Sequence, residues 1–82
     1  MTFEEAVAKS KTLKERPSNE VLLKLYGLFK QATEGDVLGE RPGGFDFKGA
    51  AKYDAWENQK GKANKDAESE YIDFVNSLLE KE

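Results

Sequence analysis

Tyr26, Phe29 and Lys30 stand three and four residues apart, the spacing that brings side chains onto one face of a helix. An aromatic pair beside an ammonium can stack a planar base and hold a phosphate. Lys48, Lys52, Tyr53 and Trp56 form a similar set, with Lys52 and Trp56 one turn apart, so Trp56 is expected beside whatever Lys52 serves. Spacing alone favours a plainer account. In it Tyr26 and Phe29 are helix core, Lys30 lies over them on its methylene stem, and Lys52 and Trp56 share a solvated face.

Other chemistry is largely excluded by residue type. The 82-residue chain has no His and no Cys, which removes imidazole bases, thiol nucleophiles, disulfides and the common zinc sites. Carboxylates are plentiful, but none is paired in an apolar setting as acid/base work requires, and Asp36, Asp46 and Asp54 read as capping or surface groups. Gly43, Gly44 and Gly49 match neither the P-loop nor the dinucleotide fingerprint and read as turn residues. No nucleophile elbow surrounds Ser10, Ser18, Ser69 or Ser77. Neither catalytic nor metal-binding residues are expected. The 13 Lys and Arg against 16 Asp and Glu, net −3, argue against a broad basic face for nucleic acid and leave room for a small phosphate pocket.

The elements that must position these residues are helical. With 35% charged residues and a mean hydropathy of −0.77, most of the surface is charge around narrow apolar stripes, a geometry that helices supply readily. Thr2 and Glu5 make a capping-box pattern ahead of Phe3, Ala6, Val7 and Leu13, predicting a helix from about residue 3 to 14, closed before Pro17. Ser18 or Asn19 then caps a second helix over about 20–34, with Leu22, Leu25, Tyr26, Phe29 and Ala32 on one face. Residues 35–47, GDVLGERPGGFDF, are too broken for either regular structure. A connection of that length crosses the bundle instead of joining antiparallel neighbours, and Val37, Leu38, Phe45 and Phe47 are expected to pin it down. A third helix over about 48–60 ends at Gly61, and a fourth over about 65–80, capped by Asn64, carries Ala67, Tyr71, Val75, Leu78 and Leu79. The size suits one domain spanning residues 1–82. No apolar run approaches the roughly 20 residues of a membrane span, and the N-terminus lacks a signal-peptide pattern, so the expected location is cytoplasmic.

Three stretches carry a resemblance. The run from Leu25 to Val37, LYGLFKQATEGDV, then Arg41-Pro42-Gly43, then the run from Asp46 to Trp56, DFKGAAKYDAW, and finally Tyr71 are similar to the acyl-CoA-binding protein family across nearly the whole chain. The resemblance implies an all-α, four-helix bundle of up-down-down-up topology, with a long overhand loop between the second and third helices. It implies a monomer that binds long-chain fatty acyl-CoA without turnover, needs no cofactor, and carries the ester between membranes and the enzymes that use it. The positions that match are Tyr26, Lys30 and Lys52, which in the family serve the 3′-phosphate of CoA; Phe29, which faces the adenine; Tyr71; and, more weakly, Lys11 and Lys48.

The chain departs from that pattern at Ala50, where many members have Lys, at Tyr53, where many have Trp, and at Phe29, where some have Tyr. A different class of function, a helical interaction or signalling module of the same fold, has no reason to keep Tyr26, Lys30 and Lys52 together. All three are present.

Overall fold

A computed structural model of residues 1–82 contains four α-helices: α1 Phe3–Ser10, α2 Asn19–Glu34, α3 Phe47–Glu57 and α4 Asn64–Glu80. Local chemistry sets most of their starts. The Thr2 hydroxyl accepts from the Glu5 amide at 3.1 Å while the Glu5 carboxylate accepts from the Thr2 amide at 2.8 Å, closing the capping box of α1. Ser18 caps α2 and Asp46 caps α3, each accepting from the amide three residues on. Asn64, the expected cap of α4, instead lies inside the helix. Its side-chain amide donates to the Gln31 and Ala32 carbonyls at 3.3 and 2.9 Å, stitching the start of α4 to the end of α2.

Contacts along the helices fix their directions. Phe3 meets Tyr71 and the Lys14 amide meets Glu82, so α1 runs parallel to α4. The Asn64 stitch makes α2 antiparallel to α4, while Lys52 against Tyr26 and Lys30 against Trp56 make α3 parallel to α2. The bundle is up-down-down-up, with the overhand connection between α2 and α3. Its core is Ala6, Leu25, Leu28, Tyr71 and Val75, flanked by Phe3, Phe29 and Ile72. Four expectations about boundaries and anchors need correction, and each has a local cause.

Helix α1 stops at Ser10, not near residue 14. The Ser10 and Thr12 hydroxyls donate to the carbonyls of Val7 and Lys9, and the Lys11 and Thr12 amides bond three residues back, so the last turn tightens and closes well before Pro17. Helix α3 ends at Glu57 and not near 60, because residues 59 and 60 turn into three-residue hydrogen bonds ahead of Gly61, which sits at φ 90°. The cap of α4 is Ala63, as the Asn64 contacts require. Lastly, three of the four apolar residues expected to pin the overhand connection do not, and only Val37 is half-buried. Leu38, Phe45 and Phe47 are 78%, 93% and 75% exposed.

Polar ties from the helices hold the loop. Trp56 Nε1 donates to the Gly35 carbonyl at 2.7 Å and the Tyr53 hydroxyl to the Gly39 carbonyl at 3.1 Å. Arg41 grips Asp54 with two bonds of 2.8 and 3.0 Å, which hold the Asp54 carboxyl below the usual carboxylate range. The Asp36 carboxylate, lowered in the same sense, accepts from the Gly61 amide at 2.8 Å and from Gln31 at 2.9 Å. Both carboxylates cap or tie the surface, as their residue types suggested.

The approach of α2 to α3 depends on Gly27, where a Cβ would lie 2.3 Å from the Ala55 carbonyl oxygen. Backbone cannot yield as a side-chain end can. Gly27→Ala is therefore expected to destabilise the protein by about 1–3 kcal/mol despite Ala's better helix propensity. A lowered urea midpoint at unchanged slope is the expected result, and a midpoint at or above the parent's would show that the two helices are not in close register here.

Candidate ligand-binding site

Because α2 and α3 run parallel at such close range, residues one turn apart on each meet crosswise. The Lys52 ammonium of α3 lies 5.5 Å from the centre of the Tyr26 ring of α2, and the Lys30 ammonium of α2 lies 4.9 Å from the centre of the Trp56 ring of α3. Each cation rests on the aromatic face of the other helix, an attraction of about 0.5–1 kcal/mol at a partly exposed site. Lys30 is also paired with Glu34 one turn later. Ammoniums from two helices thus stand on facing rings of the same α2–α3 contact, an arrangement that only the folded bundle makes.

On the other side of Tyr26, towards α1, opens a cleft of about 570 Å³, within the range of ordinary ligand sites. Val7, Leu22, Leu25 and Phe29 are among its apolar lining, and Tyr26 and Tyr71 also face it. Phe3 stacks on Phe29 with centroids 6.0 Å apart and meets the Tyr71 edge at 5.2 Å, which fixes both rings. Tyr71 is 3% exposed, and its hydroxyl is within 3.1 Å of the Ser10 hydroxyl, which itself donates to the Val7 carbonyl. Tyr26 belongs to both features: it lines the cleft and carries Lys52. An apolar cleft whose wall residue Tyr26 also carries an ammonium suits an amphiphile with an anionic head.

The residues singled out by sequence distribute as follows. Tyr26, Lys30 and Lys52 are brought together at the α2–α3 crossing, while Phe29, Tyr71 and Lys11 line the cleft. Lys48 sits exposed in the first turn of α3, one turn before Lys52, and does not line the cleft. Arg16, a second exposed cation lining the cleft beside Lys11, was missed. The helix predicted through residue 14 hid it, since its position depends on the irregular segment after Ser10. Ala50 is buried at 8% exposure, so a long cation there would have to leave the packed surface, and Tyr53 spends its hydroxyl on the loop.

A family model described as "Acyl CoA binding protein" matches residues 1–75. The chain belongs to the acyl-CoA-binding protein family. Acyl-CoA-binding protein homolog 1 of Caenorhabditis elegans is 51% identical over 81 residues, covering 99% of this chain and 94% of that protein. The acyl-CoA-binding protein of Brassica napus is 54% identical over 80 residues, covering 98% and 87%. Among solved structures, that of Oryza sativa acyl-CoA-binding protein 2 superposes with a TM-score of 0.92 at 49% identity, covering 96% of this chain and 88% of that one. The corresponding protein of Moniliophthora perniciosa gives 0.89 at 38% identity, covering 96% and 78%. Membership in the acyl-CoA-binding protein family accords with the all-α bundle and its overhand loop. The reading as a ligand-free interaction module gains no support from these relatives, which are acyl-CoA-binding proteins by name. No helix is long and apolar enough to cross a membrane, and no His, Cys, Asp and Glu residues are gathered as a metal would need.

Proposed function

We propose that this protein binds long-chain fatty acyl-CoA esters without chemical change and carries them as an intracellular pool. The single observation that supports this best is the joint at Tyr26, which lines the apolar cleft and carries the Lys52 ammonium of the neighbouring helix on its ring. The acyl chain takes the cleft, gaining about 0.8 kcal/mol per buried CH₂. The 3′-phosphate of the CoA head takes Lys30 and Lys52, with the Tyr26 hydroxyl as a third donor, because charge-assisted hydrogen bonds to phosphate are stronger than a cation's contact with a ring. Phe29 offers its ring to the adenine. Lys11, with Arg16 near it, attracts the anionic head, and Lys48 adds charge one turn from Lys52. A net charge of −3 does not oppose this, since the field at the site is set by the nearest cations.

The role we propose for such binding is carriage between membranes and acyl-CoA-using enzymes, as a cytoplasmic monomer. The exposed Leu38 and Phe45 of the overhand loop and Phe47 at the start of α3 suit brief contact with a bilayer surface. Carriage is tested with palmitoyl-CoA equilibrated into phosphatidylcholine vesicles. Added protein is expected to draw the ester into the supernatant in proportion to its own concentration, and to leave palmitate with the lipid. Palmitoyl-CoA that stays with the vesicles at protein excess would contradict the proposal.

A further inference from the structure

The two ammoniums at the α2–α3 crossing are not equivalent in the free protein. Lys30 is paired with the Glu34 carboxylate, while Lys52 joins none of the three ion pairs of the chain. Glu34 is the last residue of α2. A negative charge there opposes the helix macrodipole, and a Lys placed four residues before a Glu is the weaker order for such a pair, so helix stability does not explain this carboxylate. Its one side-chain partner is the Lys30 ammonium, which it meets while that ammonium stands over Trp56. The side chains of Lys30 and Glu34 are 22% and 51% exposed, so the pair sits where a phosphate approaching Lys30 must meet both charges.

We propose that Glu34 restrains the head-group clamp. In the free protein its carboxylate occupies Lys30. In the complex it lies beside the phosphate that Lys30 has taken, and two anions then share one cation. The residue thereby lowers affinity for phosphate-bearing ligands selectively and narrows the difference between an ester with a 3′-phosphate and one without. The function this serves is release, since a carrier that holds its cargo too firmly delivers little. The inference rests on the assignment of Lys30 to the phosphate, so its test must separate the two.

Glu34→Gln keeps the size of the side chain and removes its charge. By calorimetric titration it is expected to bind palmitoyl-CoA about 3- to 10-fold more tightly than the parent at low salt, with the gain shrinking as salt screens the partly exposed charges. Palmitoyl-dephospho-CoA, which lacks the 3′-phosphate, should bind both proteins alike. Thermal unfolding of the two proteins checks that the fold is unchanged. Unchanged or weaker binding of palmitoyl-CoA by Glu34→Gln would overturn the proposal, as would an equal gain for the dephospho ester. Lys30→Ala, titrated alongside, distinguishes the failures. If it loses affinity for palmitoyl-CoA while Glu34→Gln gains none, the restraint is wrong and the clamp stands; if Lys30→Ala binds like the parent, the phosphate assignment has failed and the restraint with it.

Discussion

Lys30→Ala and Lys52→Ala are each expected to weaken palmitoyl-CoA binding about 10- to 150-fold, because a hydrogen bond to a charged group contributes roughly 1.5–3 kcal/mol. The ammoniums come from α2 and α3 and stand on Trp56 and Tyr26 respectively, so each variant removes one donor and leaves the other in place. Folding stability should change little, since what is lost within the protein is a cation–aromatic contact at a partly exposed site, about 0.5–1 kcal/mol, and for Lys30 also its partly exposed pair with Glu34, a contribution of similar or smaller size. The double variant should lose less than the sum of the two, because both act on one ligand group. Against palmitoyl-dephospho-CoA each single variant should lose most of its effect. A loss of equal size for both esters would place the two Lys residues on some other part of the ligand, and parental affinity in both variants would restore the plainer account that spacing alone favoured, with Lys30 lying over helix core and Lys52 on a solvated face.

How much of this could be read from the sequence depends on the range of the interaction. The helices were legible because their signals are local: the Thr2 and Glu5 capping box, Ser18, and apolar residues every three or four positions all act within a few residues. The overhand loop was legible as a crossing connection from its length and its four glycines. Its anchors were not. Arg41 to Asp54, Trp56 to Gly35 and Asp36 to Gly61 join residues 13, 21 and 25 apart with no periodic trace, while Leu38, Phe45 and Phe47 looked like anchors and face solvent. The early end of α1 was hidden because Ser10 and Thr12 carry no sign of which carbonyl they will take.

The site divides in the same way. Tyr26, Phe29 and Lys30 could be put on one face from their spacing, but nothing local says that Lys52 meets Tyr26. That meeting needs α2 and α3 to run parallel and close, and the closeness rests on Gly27, which by propensity alone reads as a weak point in a helix. The family resemblance supplied the grouping that spacing could not. It assigned no role to Glu34, so the Lys30–Glu34 pair is visible only in the structure.

Affinity should require both halves of the ester. The cleft lined by Val7, Leu22 and Leu25 rewards each added CH₂ by about 0.8 kcal/mol, roughly fourfold in affinity, for as long as the chain finds apolar wall. The head adds charged hydrogen bonds from Lys30 and Lys52 that a bare fatty acid cannot form. Neither half is sufficient: free CoA leaves the cleft empty, and palmitate leaves both ammoniums on their aromatic rings. The expected separation is therefore several orders of magnitude between palmitoyl-CoA and either fragment, far larger than the effect of any single substitution. Calorimetric titration of the unmodified protein with palmitoyl-CoA, free CoA and palmitate under one set of conditions measures this directly. One palmitoyl-CoA bound per chain, with both fragments weaker by at least about a thousandfold, is the predicted result; palmitate or free CoA binding as tightly as the ester would contradict a site built from a cleft and a clamp together.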